Sequence, residues 1–99
     1  DSLIDAVEIH TGEYAKDFFD GNLIDQYFND YLNGKEMIMN MNIGYHAGHG
    51  LTRESVAPLL KQNIFEEYNI GHWIISQAVF DGLGNVISEL TSQFEKYGS

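Results

Sequence analysis

The chain has no cysteine, a single proline, and only five basic residues against 15 acidic ones. Without cysteine there is no disulfide framework and no thiolate to bind a metal or attack a substrate, which fits a reducing compartment. The bases, Lys16, Lys35, Arg53, Lys61 and Lys96, leave a formal charge of −10 over 99 residues. Such a surface repels nucleic acid and anionic membranes, so neither is expected as a partner. Any phosphate has to be held largely by backbone N–H groups, or by bases supplied from elsewhere. No apolar run approaches the roughly 20 residues of a membrane span. The opening, DSLIDAVEIHTG, lacks the basic end and long apolar stretch of a signal peptide. It enters a strand almost at once and reads as a piece cut from the middle of a protein.

What is present is globular in composition, 43% hydrophobic and 13% aromatic. The chain, 1–99, is read as part of one domain, with strands near 5–10, 42–47 and 65–71. DAVEIH alternates, with Val7 and Ile9 on one side and Glu8 and His10 on the other. TGEY is expected to break that strand. A polar-rich helix follows over about 22–41, with Leu23, Tyr27, Phe28 and Tyr31 at helical spacing, although Gly34 and several Asn and Asp weaken it. NIGYHA alternates again. Thr52 suits an N-cap, Glu54 meets the helix dipole, and Val56, Leu59 and Leu60 form the stripe of a short helix. FEEYNIG makes the third strand. HWIISQAVFDGLG is expected to start a helix directly, to break at Gly82–Gly84, and to resume with Leu83, Val86, Ile87, Leu90 and Phe94 as a core stripe. Strand and helix alternate three times, the pattern of an α/β parallel sheet with helical crossovers.

Each strand has one apolar and one polar face. In an open two-sided α/β sheet both faces meet helices, and the strands read as continuous apolar runs. A closed barrel turns apolar faces outward to its helices and other side chains inward, with the active site at the carboxyl ends. That arrangement places Glu8, His10, His46, Glu67 and Asn69 toward the axis. A (β/α)₈ barrel needs roughly 200–250 residues. Three βα units cannot close one, so the chain is either a fragment of a barrel or a small open sheet; the abrupt start favours the carboxyl-terminal three βα units of a TIM barrel, incomplete alone. Two strand ends share a grammar: AGHGLT and NIGHW each run from strand to glycine and histidine to helix. Glycines admit an anion to the backbone, and a helix start supplies free N–H donors.

VEIHTGEYA, AGHGLT and EEYNIGHWIISQAVFDGL, in that order and spacing, resemble the carboxyl-terminal part of the pyridoxine 5′-phosphate synthase family. The resemblance covers essentially the whole chain, with 16–44 matching only in length and helical character. It implies a cytoplasmic, homo-octameric TIM-barrel transferase of vitamin B6 biosynthesis. That enzyme condenses 1-deoxy-D-xylulose 5-phosphate with 3-amino-2-oxopropyl phosphate to pyridoxine 5′-phosphate, with no metal and no organic cofactor. It also implies roles for individual residues. His49 is the proton donor, Glu8 stabilises a transition state, and Gly50, Gly71 and His72 bind substrate or its phosphate. His46 departs from the family, which often has Asn there. The family's other catalytic residues lie in an amino-terminal half that this chain lacks, so the chain alone is expected to be inactive.

Two rival readings use the same residues. His46 and His49, with His10, His72 and Glu8, are zinc-ligand types, but zinc leaves the glycines unexplained, and residues three apart on a strand face opposite ways. A half-barrel could also be a non-catalytic module that associates through its sheet edges. His10, Glu67 and Asn69 read as hydrogen-bonding groups of the lumen, and Trp73 as packing.

Overall fold

The computed structural model describes residues 6–71 and 73–96, with backbone alone for 93–96. In chain order the elements are β1 (Ala6–His10), α1 (Gly12–Asp20), α2 (Asp25–Ile38), β2 (Gly44–Gly48), α3 (Arg53–Gln62), β3 (Glu67–Ile70), β4 (Trp73–Ser76), α4 (Gln77–Gly82) and α5 (Ile87–Lys96). The strands form one sheet in the order β1-β2-β3-β4. The first three are parallel, and β4 returns antiparallel to β3. The α/β class and the three expected strands are thus present.

Register gives the sheet its two faces. Ile9, Ala47 and Tyr68 lie side by side, and Glu8, His46 and Glu67 make the adjacent row. Successive residues point to opposite faces, so the whole apolar row turns to one side. On that side Ala47 and Tyr68 are fully buried, together with Tyr14 of α1 and Val56 and Leu59 of α3. The Phe65 ring stacks on Tyr45 with centroids 4.8 Å apart, and Tyr31 of α2 meets its edge. Each such side chain contributes roughly 1.5–3 kcal/mol by leaving water. Their hydroxyls are partnered: Tyr14 donates to Ser55 O (2.6 Å), Tyr45 to Tyr31 O (2.7 Å), and Tyr68 to the Gln77 side chain. Burial pushes Tyr14, Tyr31 and Tyr68 above the ordinary tyrosine range, so they remain neutral donors. The opposite face stays open, with Glu8 and His10 exposed and His46, Glu67 and Asn69 half-buried.

The structure departs from the expectations in four places. TGEY breaks β1 as expected, and a helix that the sequence reading did not place follows directly. Helix α1 starts at Gly12, and its first turn closes through Ala15 N–H on Thr11 O. The polar-rich helix is shorter than 22–41, and Leu23 lies before it, 90% exposed. The helix expected directly after NIG is replaced by β4. Trp73, Ile74 and Ile75 are aromatic and β-branched, and they pair the outer edge of β3, whose N–H and C=O groups need partners. Helix α4 then begins at Gln77, where Ser76 Oγ accepts from Val79 N–H at 3.0 Å. The expected break follows, since α4 ends at Gly82 and Gly84 takes φ +77°. Leu83 and Val86 lie in that break, outside α5, and the Phe94 side chain lies outside the described residues. The sheet is therefore not wholly parallel, and the third βα unit is interrupted by a strand.

Tyr68→Phe should lower stability by about 1–3 kcal/mol, because the buried Phe65 N–H and the Gln77 side-chain oxygen lose the hydroxyl they bond. The midpoint of urea unfolding reads this, and an unmoved midpoint would mean the hydroxyl carries nothing. At the α1–α2 corner, the Tyr27 hydroxyl and then the Asn22 amide donate to Asp17 and hold its carboxyl below the usual range. That hydrogen bond in turn pushes Tyr27 up to about 12. The folded state therefore prefers the carboxylate. The stabilisation is complete above the unfolded aspartate value of about 3.9 and is lost as pH falls through the lowered folded value. Asp17→Asn should make the thermal midpoint less sensitive to acid over that window; an identical acid limb would count against the contact.

Candidate functional site

The site is built where β1 and β2 end. Their last register pair is His10 with Gly48. The Thr11 N–H then donates to Gly48 O at 2.9 Å. The Thr11 side chain is fully buried, its hydroxyl 2.9 Å from Gly48 O and 3.0 Å from His49 O. Past this point the chain turns sharply, with His49 at φ +92° and Gly50 at φ +79°. For a residue with a side chain, such a conformation costs about 1–3 kcal/mol and has to be held by its surroundings. At Gly50 a Cβ would also stand 3.3 Å from Gly12 Cα, a backbone atom with little room to give.

The turn brings the His49 ring onto that of His10, centroids 4.4 Å apart and planes inclined by 24°. On the polar face, the Glu8 carboxylate lies over Gly48. A Cβ there would meet Glu8 Oε2 at 1.8 Å and Asn69 Nδ2 at 3.2 Å. Asn69 donates to that same Glu8 oxygen across 3.3 Å. Glycine at position 48 thus leaves room for an acid on β1 to reach an amide on β3, above the intervening strand. Beside the paired imidazoles, His10, Gly12, Glu13 and Lys16 line an open hollow of about 470 Å³. Lys16 also contacts Asp20 at 3.1 Å, and that hydrogen bond raises its pKa.

Helix α3 begins just beyond, at Thr52, in a reciprocal cap. Ser55 N–H donates to Thr52 Oγ1 at 3.2 Å, and Thr52 N–H to Ser55 Oγ at 3.0 Å. Two amides are occupied in this way, so an anion at this turn has fewer donors than an uncapped helix start offers. At the end of β3, Gly71 has φ +61° and open space around its Cα. The segment after it is a strand, so the helix start expected beside Gly71 is not there. Of the two anticipated strand-to-helix anion turns, the fold retains the one after β2. His72 lies outside the described residues.

The fold therefore brings Glu8, His49 and Gly50 to one region at the carboxyl ends of β1 and β2, together with His10 and Asn69. Gly71 closes neighbouring β3, which runs parallel to them. His46 stands apart from His49. Its ring nitrogens are 3.8 Å from Glu67 and 3.9 Å from Glu66, an attraction present when the imidazole is protonated. Among the described residues no group of three or more His, Cys, Asp or Glu could hold a metal ion, and the zinc reading draws no support from these contacts. Nor is any helix among them long and apolar enough to cross a membrane. Three residues with a part in this geometry escape a sequence reading: Thr11, Tyr14 and Lys16. The available signal was EYAK after HTG, a set of fair helix formers that marks α1 and carries Tyr14 toward Ser55.

A family model described as pyridoxal phosphate biosynthesis protein PdxJ matches residues 1–96. Among curated proteins the chain is similar to relatives named pyridoxine 5′-phosphate synthase. That of Sulfurihydrogenibium sp. is 37% identical over 86 residues, which cover 87% of this chain and 35% of the relative. That of Hydrogenobaculum sp. is 35% identical over 89 residues, covering 87% and 37%. That of Neisseria meningitidis is 38% identical over 84 residues, covering 85% and 34%. The chain spans about a third of the length of these relatives. No solved structure matches it.

Gly48→Ala tests the crossing of Glu8 over β2. The obstructing atom is the tip of a flexible carboxylate, so the fold should survive with a loss of about 1 kcal/mol. The Glu8–Asn69 hydrogen bond should break. Asn69 side-chain amide signals that stay in place in the variant would show that Glu8 does not occupy that space.

Proposed function

The chain belongs to the PdxJ family of pyridoxal phosphate biosynthesis proteins, and from that premise we propose that it supplies the carboxyl-terminal part of a pyridoxine 5′-phosphate synthase. In this reading β1, β2 and β3 are consecutive staves of a TIM barrel. The helix-covered apolar face is the outside, and the open face with Glu8, His46, Glu67 and Asn69 looks into the lumen. The observation that carries the reading is an imidazole in a left-handed glycine turn at the carboxyl ends of parallel strands, stacked on a second imidazole, with a carboxylate lying over the glycine that precedes it. Glu8, His49 and Gly50, which the resemblance singles out, share this region, and that supports the reading.

The reaction proposed is condensation of 1-deoxy-D-xylulose 5-phosphate with 3-amino-2-oxopropyl phosphate, with phosphate and water released, in an enzyme that needs no metal or organic cofactor. Ring closure passes through imine formation and dehydrations, each of which moves a proton. Histidine serves such steps near neutral pH because it both gives and takes a proton. His49 is assigned as the donor. Glu8 is assigned to stabilise positive charge as it develops, a task suited to a carboxylate held over bare backbone. Gly50, Gly71 and His72 are assigned to substrate and its phosphate. The chain requires the remainder of a barrel as its partner and is inactive alone. The full enzyme is a cytoplasmic homo-octamer.

The test is a chimera in which this chain replaces the matching third of the Neisseria meningitidis relative. It should form pyridoxine 5′-phosphate from the two substrates. His49→Ala in it should lower kcat by about 10²–10⁴-fold while KM changes little. A folded chimera that makes no product would remove the assignment, and near-normal kcat in the variant would remove His49 as donor. In the 99-residue chain, inorganic phosphate should slow amide exchange at Gly50; equal rates at saturating phosphate would remove the anion role of that turn.

A further inference from the structure

Neither the family's site residues nor the strand motifs account for the buried hydroxyl of Thr11. A threonine side chain at zero exposure has to place its O–H on an acceptor, since an unmet donor costs about 1–3 kcal/mol. Here one proton is shared between two consecutive carbonyls, that of Gly48 at the end of β2 (2.9 Å) and that of His49 in the turn after it (3.0 Å). The Thr11 backbone N–H adds a second bond to Gly48 O. These are the two peptide groups that flank the His49 Cα. Orienting both carbonyls toward one hydroxyl limits rotation on either side of His49, whose φ of +92° its own side chain disfavours. The residue before Thr11 supplies the other half of the arrangement, because the His10 ring stacks on the His49 ring. Gly12, the residue after it, lies where an added Cβ would be 3.6 Å from His49 Cδ2, in van der Waals contact.

We propose that Thr11 is a positioning residue for His49, its buried hydroxyl clamping the Gly48 and His49 carbonyls so that the strained turn presents the imidazole against His10. The proposal deepens the assignment of His49 as proton donor and rests on that assignment for its functional meaning. A plain structural role would make Thr11 one more tie between β1 and β2. The clamp makes a narrower demand, since the hydroxyl should govern the His49 ring in particular.

The experiment is NMR on the full 99-residue chain with labelled histidine, comparing Thr11→Val and Thr11→Ser. Valine keeps the shape and lacks the donor; serine keeps the donor. In Thr11→Val the ring-to-ring Overhauser contact between His10 and His49 should vanish, and both ring signals should move toward those of free histidine. Methyl signals of Val56 and Leu59 in the core should stay in place. Thr11→Ser should restore the contact. Thr11→Val that folds with the histidine contact and ring shifts intact would overturn the proposal. Should Thr11→Val fail to fold, the unsubstituted chain decides. A slowly exchanging Thr11 hydroxyl proton with Overhauser contacts to His49 supports the clamp, and its absence overturns it. The turnover of the His49→Ala chimera tests the donor role separately, because the ring signals do not depend on activity.

Discussion

The parallel register of β1, β2 and β3 is the constraint on which the rest depends. It sets Glu8, His46 and Glu67 in one row and Ile9, Ala47 and Tyr68 in the next. A slip of one residue would turn Ala47 and Tyr68 to water and drive charged groups into the core. The aromatic packing around Tyr45, Phe65 and Tyr68 holds that register from the apolar side. With the register held, every polar side chain of the strands falls on the same face. The site is a consequence of how the core is buried on the other face.

The strand ends show how local cost and local support are matched. His49 adopts a conformation its side chain disfavours, and Gly50 follows in a left-handed conformation against Gly12. The bonds that hold this turn come from Thr11, at the end of the neighbouring strand. Tyr14, one helical turn later, reaches across to Ser55 at the start of α3. Two residues of one segment, Thr11 and Tyr14, therefore tie together two strand ends and a helix start. Glu8 meets Asn69 only because position 48 has no side chain.

How far the sequence was legible depended on whether a signal was local. Val7, Ile9, Tyr45 and Tyr68 announced their strands by alternation, and Thr52 announced α3, although the reciprocal partner is Ser55. Glu8, His49 and Gly50 were singled out through the family resemblance of the short motifs EIHTG and AGHG. Helix α1 was hidden by Gly12, a residue that reads as a breaker but here begins the helix. Segment 73–76 misled in the other direction. WIIS carries both a helical stripe and high strand propensity, and the open edge of β3 decided between them. Leu23 fitted a stripe by spacing yet lies outside α2, because periodicity does not say where a helix starts.

By itself the sequence determined the three parallel strands, the two-faced character of each, and the motifs that place this chain in its family. These are properties of neighbours along the chain, and alternation and spacing record them directly. Only the tertiary structure decided that Thr11 holds His49, that His10 and His49 stack, that Glu8 crosses Gly48 to Asn69, and that β4 rather than a helix follows Gly71. Each of these joins groups distant in sequence or depends on an edge left open by the sheet. Such contacts follow from register and packing, which no short stretch of residues encodes alone.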